Sequence, residues 1–137
     1  MGYAILQLNA SFSIPAEHTI AALNAIRSLH GKETCGEIGK LHFMWINDSE
    51  EFINASTLSE ALGVWRWAAE EDDNDGIVEL YFTGQNLGDE DLLFSVLAPY
   101  VTPSSSIAVV GEDGAIWRWY FDGQRVIRQN GTVHFDT

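Results

Sequence analysis

Residues able to do chemistry are scattered thinly along this chain. Cys35 with His30 or His42 would supply a thiol and a base, but no spacing signal positions them together. The histidines 18, 30, 42 and 134 show no metal-ligand spacing, and a lone cysteine argues against a zinc site. Glu71, Asp73 and Asp75 alternate ahead of Gly76, as in the first half of a calcium-binding loop. The match fails at the twelfth position, where Phe82 stands in place of a bidentate glutamate. Asp48, Glu50 and Glu51 have the chemistry of a general acid and base pair, but sequence alone fixes no separation between them. The expectation is a protein that is not an enzyme and has neither a resident metal nor a cofactor.

Two Trp-Arg-Trp triplets offer rings and cations for stacking, at 65–67 and 117–119. In a strand, Trp117 and Trp119 share a face with Ala115 and Phe121 and belong to the core, leaving Arg118 and Tyr120 outside. In a helix, Trp65 falls on the apolar stripe and Trp67 about 200° away. Trp67 is therefore the expected exposed contact.

Charge is the strongest compositional signal. The chain of 137 residues has 20 acidic and 7 basic residues, a formal net charge of −13. Between Asp48 and Asp91 stand 13 acidic residues and a single basic one, Arg66. Such sign asymmetry points to a preferred partner surface rather than to a fold. Direct nucleic-acid binding is disfavoured, because phosphates would be repelled. The run Glu70, Glu71, Asp72, Asp73, Asn74, Asp75 carries the densest charge, and it is expected at the end of a helix, where the macrodipole disfavours anions. Folding gives no reason to put it there, so it is read as partner-binding together with Asp48, Glu50, Glu51 and Trp67. Asp89, Glu90 and Asp91, by contrast, are read as the acidic opening of a helix.

The elements that must position these residues follow from periodicity. Apolar residues alternate from Leu6 through Leu8, Ala10 and Phe12 to Ile14, predicting a half-buried strand over 3–14. A helix is predicted over 16–30, ending near Gly31, and a short aromatic strand over 40–46. Thr57 and Glu60 form a capping box opening a helix that runs to about Glu70. A third strand is predicted over 77–83 and a third helix over 89–98. The last third reads as a meander with strands at 107–110, 115–121, 124–129 and 132–135. Its turns are Asp113-Gly114, Asp122-Gly123 and Asn130-Gly131. The expected fold is one α+β domain over 1–137, with an antiparallel or mixed sheet of about six strands and three helices packed on it. The order is βαβαβα followed by the meander.

With 46% hydrophobic residues there is ample material for one core. No apolar run approaches the roughly 20 residues of a membrane-spanning helix, and no leader pattern stands at the N-terminus. The expected location is the cytoplasm, away from membranes.

Met1-Gly2-Tyr3, Leu97-Ala98-Pro99-Tyr100-Val101, Gly111-Glu112-Asp113-Gly114, Trp117-Arg118-Trp119 and Phe121-Asp122-Gly123 together carry a resemblance. In them the chain resembles small acidic proteins of bacteria, their phages and mobile elements. Some such proteins resemble nucleic acid and block host-defence or nuclease proteins, certain anti-CRISPR proteins among them. The resemblance implies an inhibitor whose partner presents a basic, nucleic-acid-binding groove. The alternative is an immunity or assembly protein that binds through an apolar and aromatic surface.

Overall fold

A computed structural model describes residues 2–33, 42–46 and 50–132. Its four α-helices and six strands make an α+β fold with two antiparallel sheets rather than one. The larger sheet has the order β1-β4-β5-β6, with β1 at Ile5–Ser11, β4 at Ser105–Gly111, β5 at Ile116–Phe121 and β6 at Val126–Gly131. The smaller is a hairpin of β2 (Trp67–Glu71) and β3 (Ile77–Phe82). The helices are α1 (Thr19–Arg27), α2 (Glu50–Ile53), α3 (Leu58–Val64) and α4 (Glu90–Leu97).

The meander forms because alternation and turn chemistry agree. Ile107, Val109, Trp117, Trp119 and Phe121 are buried on one face, and Gly114 and Gly123 adopt the positive φ their turns require. Phe94 of α4 packs edge-on against both Trp119 and Phe121, so this helix covers the sheet's inner face. The turn expected at Asn130-Gly131 does not form, since both residues continue β6 opposite Trp117 and Ile116; the strand expected over 132–135 falls mostly outside the described residues, and Thr132 itself is not in a strand.

Four further expectations are corrected. First, the strand β1 does not hold one phase: a bulge between Gln7 and Asn9 adds a residue, so Ile5 is buried ahead of it and Phe12 and Ile14 behind it. Leu6 and Leu8 are thereby turned outward, 67% and 50% exposed. Second, the described part of the segment over 40–46 is no strand; Met44 and Trp45 form a turn closed by an Ile46 amide that donates to the Phe43 carbonyl at 3.0 Å. Third, residues 50–53 form the short helix α2, a fourth helix in place of the three expected.

Fourth, the second helix stops at Val64 instead of near Glu70. Its start is as expected, with Thr57 Oγ1 accepting from the Glu60 amide at 3.2 Å and the Glu60 carboxylate accepting from the Ser56 amide at 2.8 Å. Its end is set by Arg66, whose left-handed backbone (φ 74) reverses the chain and lets Trp67 begin a strand. Trp67 is consequently buried in the core, against Phe82, Phe94 and Trp119, and is not the exposed contact expected of it.

Candidate functional site: an acidic hairpin

The reversal at Arg66 decides where the acidic run goes. Glu70 and Glu71 end β2, Asp72 to Asp75 make the connection, and all five carboxylates are exposed. The run therefore sits at a hairpin tip and not at a helix end, so no helix macrodipole acts on it. The turn is closed by Asp72, whose Oδ1 accepts from the amides of Asn74 and Gly76, each at 2.9 Å. Asp75 takes a left-handed conformation, φ 68.

The strands place Glu70 directly opposite Glu79. Like charges at such a cross-strand position repel. Tyr81 donates its hydroxyl to Glu70 Oε2 at 3.3 Å, and Ser59 donates its own to Glu71. Partial burial, then the charges of Glu70 and Glu79, hold the Tyr81 phenol above the usual tyrosine range. Among the described residues, no basic side chain makes an ion pair with any carboxylate between 70 and 79.

Nearby acids meet a different environment. Glu90 of α4 is fully buried and shares the stripe of Leu93, Phe94 and Leu97. Arg66 reaches both its oxygens, at 3.2 and 3.1 Å, and also donates to the Asn86 carbonyl at 2.6 Å. The Gly88 amide and the Trp67 indole donate to the same carboxylate, at 2.5 and 3.4 Å. Gly88 has no side chain for good reason: a Cβ there would come within 2.7 Å of an Arg66 nitrogen and 3.0 Å of the Met44 carbonyl. Burial pushes the Glu90 carboxyl up, outweighing Arg66, Gly88 and Trp67, which pull it down. Asp91 accepts from the Trp119 indole at 2.8 Å and from Arg128 at 3.4 Å, and Asp89 accepts from the Met44 amide at 2.8 Å.

The acidic segments thus meet different environments. Glu70, Glu71, Asp72, Asp73 and Asp75 are brought together, with Glu79 added to them. Glu50 and Glu51 are exposed on α2, which packs against α1 and α3. Asp48 lies outside the described residues, as does Cys35. Glu90 opens α4 as read from sequence, and it is in addition half of a buried ion pair. Its position on the apolar stripe of α4 was the available signal.

No family model, curated protein or solved structure matches this chain. Among the described residues, no three His, Cys, Asp or Glu side chains group as a metal centre, and no helix is long and apolar enough to cross a membrane.

A second feature adjoins the hairpin. β1 and β3 run beside each other without forming a common sheet. They are tied at one end by reciprocal 2.9 Å bonds between Ile14 and Ile77. At the other, the Ile5 amide donates to the Gln85 carbonyl at 3.1 Å and the Leu87 amide to the Tyr3 carbonyl at 2.7 Å. Between these ties the Gln7 carboxamide acts as a side-chain bridge, donating to the Leu80 carbonyl at 2.9 Å and accepting from the Phe82 amide at 2.7 Å. Over it lies an open groove of about 560 Å³ whose walls include Leu6, Leu8, Glu79 and Tyr81.

Proposed function

We propose that this is a non-catalytic binding protein that inserts its acidic β2–β3 hairpin into a basic groove of a nucleic-acid-handling protein and competes there with nucleic acid. One observation carries the reading: Glu70 faces Glu79 at the base of a tip bearing Glu71, Asp72, Asp73 and Asp75, with no ion pair to any described basic residue. Arg66, the basic residue within this acidic stretch of sequence, is committed to Glu90. Stability alone favours breaking up such a cluster, so its retention suits a surface completed by a partner's cations. Successive residues of a strand advance about 3.3 Å, close to the phosphate spacing of about 3.4 Å along one nucleic-acid strand. The partner class, a CRISPR effector or nuclease for example, follows from the resemblance and from this charge pattern.

The test is retention of partners from host lysate on the immobilised protein, at about 0.1 M and about 0.5 M salt, where screening differs strongly. The comparison protein is the variant E70Q/E71Q/D73N/D75N. It keeps Asp72, which the turn needs. The expected result is a basic protein that elutes with salt, is displaced by DNA or RNA, and is not held by the variant. A partner without a nucleic-acid site, held equally by the variant and through high salt, would overturn the proposal. That outcome would favour the second reading, an apolar interaction protein, which the exposed Leu6, Leu8 and Tyr81 support.

A further inference from the structure

The groove between β1 and β3 combines exposed apolar side chains with a carboxylate. Leu6 and Leu8, thrown outward by the β1 bulge, are 67% and 50% exposed, and Tyr81 across from them is 50% exposed. Leu6 and Leu8, two residues apart on the strand, leave half or more of their surface in solvent, so the bulge creates apolar surface at a cost to solubility that folding does not require. Glu79 stands among the lining residues, with Glu70 opposite it on β2.

We infer that this groove is a docking site for an extended segment of a partner protein in which apolar residues alternate with arginine or lysine. The occupant follows from the chemistry of the walls. Side chains of an extended segment alternate every second residue, so one set can cover Leu6 and Leu8 while the other reaches Glu79 and Glu70. Arginine and lysine suit the second set because an alkyl stem lies along apolar surface while the charged head stays at the carboxylates. The Tyr81 ring offers the same head a cation–π face. A cation between Glu70 and Glu79 also removes the repulsion that the register imposes on them. A second copy of this chain is a poor occupant, since each copy has a net charge of −13. An acidic or uncharged peptide leaves the two glutamates unanswered.

This inference rests on the acidic-hairpin reading in that both look to a basic partner, but the groove adds an apolar requirement that the hairpin tip does not have. The experiment measures binding of fluorescently labelled short peptides by anisotropy. One peptide alternates leucine with arginine, and a second of the same length and charge alternates serine with arginine. The proteins are the wild type, L6S/L8S, E79Q and the tip variant E71Q/D73N/D75N. The leucines are exposed, so their replacement leaves the core intact, and a thermal melt of each variant verifies this.

The expected result is tighter binding of the leucine-arginine peptide than of the serine-arginine one, weakened at least about tenfold by L6S/L8S and several-fold by E79Q, with each tenfold step corresponding to about 1.4 kcal/mol. The tip variant should bind this peptide nearly as well as the wild type. Equal binding of both peptides, or L6S/L8S binding like the wild type, would overturn the groove proposal while leaving the hairpin reading intact. Conversely, groove binding as expected with the tip variant still retaining its lysate partner would overturn the hairpin reading and leave the groove standing.

Discussion

Two acidic stretches of this chain, 70–79 and 89–91, look alike in sequence and have opposite fates in the fold. In the first, Glu70, Glu71, Asp72, Asp73 and Asp75 are exposed on a hairpin and meet hydroxyls and amides but no described base. In the second, Glu90 is buried against Arg66, and Asp91 binds the Trp119 indole and Arg128. Both are rich in carboxylates; what differs is whether the backbone points the carboxylate along an apolar stripe or into a turn. Net charge therefore overstates the surface available to a partner, because part of it is consumed in holding α4 to β2 and β5.

The sharpest way to break this contrast is to remove the cation from the buried stretch. Replacing Arg66 with Met leaves Glu90 desolvated and unpaired, and unfolding by urea should show a loss of about 3–5 kcal/mol. The double replacement R66M/E90L should recover most of that loss, since a buried pair exchanged for apolar side chains of similar volume is commonly neutral. A small effect of R66M alone would mean that Glu90 reaches water, and the distinction between the two stretches would shrink.

Titration sharpens the same contrast. Glu90 is raised by burial above the usual glutamate value, about 4.3 in unfolded chains. A carboxyl that is raised in the folded state binds its proton more tightly there, so its penalty is fully present above the folded value. That penalty is relieved as pH falls from the folded value towards the unfolded one. Urea unfolding across that window should show wild type gaining on E90Q as pH falls, by at most about 1.4 kcal/mol per pH unit. Asp113 and Asp122 act with the opposite sign. The Tyr3 hydroxyl holds the first below the usual aspartate range, and the Arg125 and Gln124 amides hold the second there. Their contributions are lost only as pH falls through those lowered values, in more acidic solution. A difference curve that is flat, or that slopes the other way, would show Arg66 outweighing burial at Glu90.

How far the sequence could be read follows from these particulars. Strict alternation and Gly turns made β4 and β5 legible, and Thr57 with Glu60 marked the start of α3, because both signals are local. Three decisions were not local. The β1 bulge reversed the facing of Leu6 and Leu8 without altering the alternating pattern that predicted the strand. The left-handed Arg66 ended α3 six residues before the helical pattern's expected limit near Glu70, carrying Trp67 from surface to core and the acidic run from a helix end to a hairpin. An arginine gives little local warning of positive φ, whereas a glycine would have. The third, the Arg66–Glu90 pair, joins residues far apart in the chain and was visible only as a glutamate in register with Leu93, Phe94 and Leu97. Of the candidate site, the run 70–75 was legible as charge, while Glu79, Tyr81 and the groove were not. They enter through strand register, and register depends on where the hairpin turns.

The hairpin itself supplies the smallest and most discriminating effect. If Glu70 and Glu79 are held opposite each other for a partner, removing one charge should help the free protein: E70Q is expected to raise stability at low salt by about 0.2–1 kcal/mol. The gain should fade as salt increases, because these carboxylates are exposed or partly exposed and their repulsion is screened within about 10 Å at 0.1 M. E90Q supplies the control, since a buried group is screened much less and its effect should change little across the same salts. Loss of stability in E70Q would mean that the Tyr81 hydroxyl bond to Glu70 outweighs the repulsion from Glu79. The facing pair would then be a structural device of the hairpin, and the case for a partner would rest on the tip carboxylates alone.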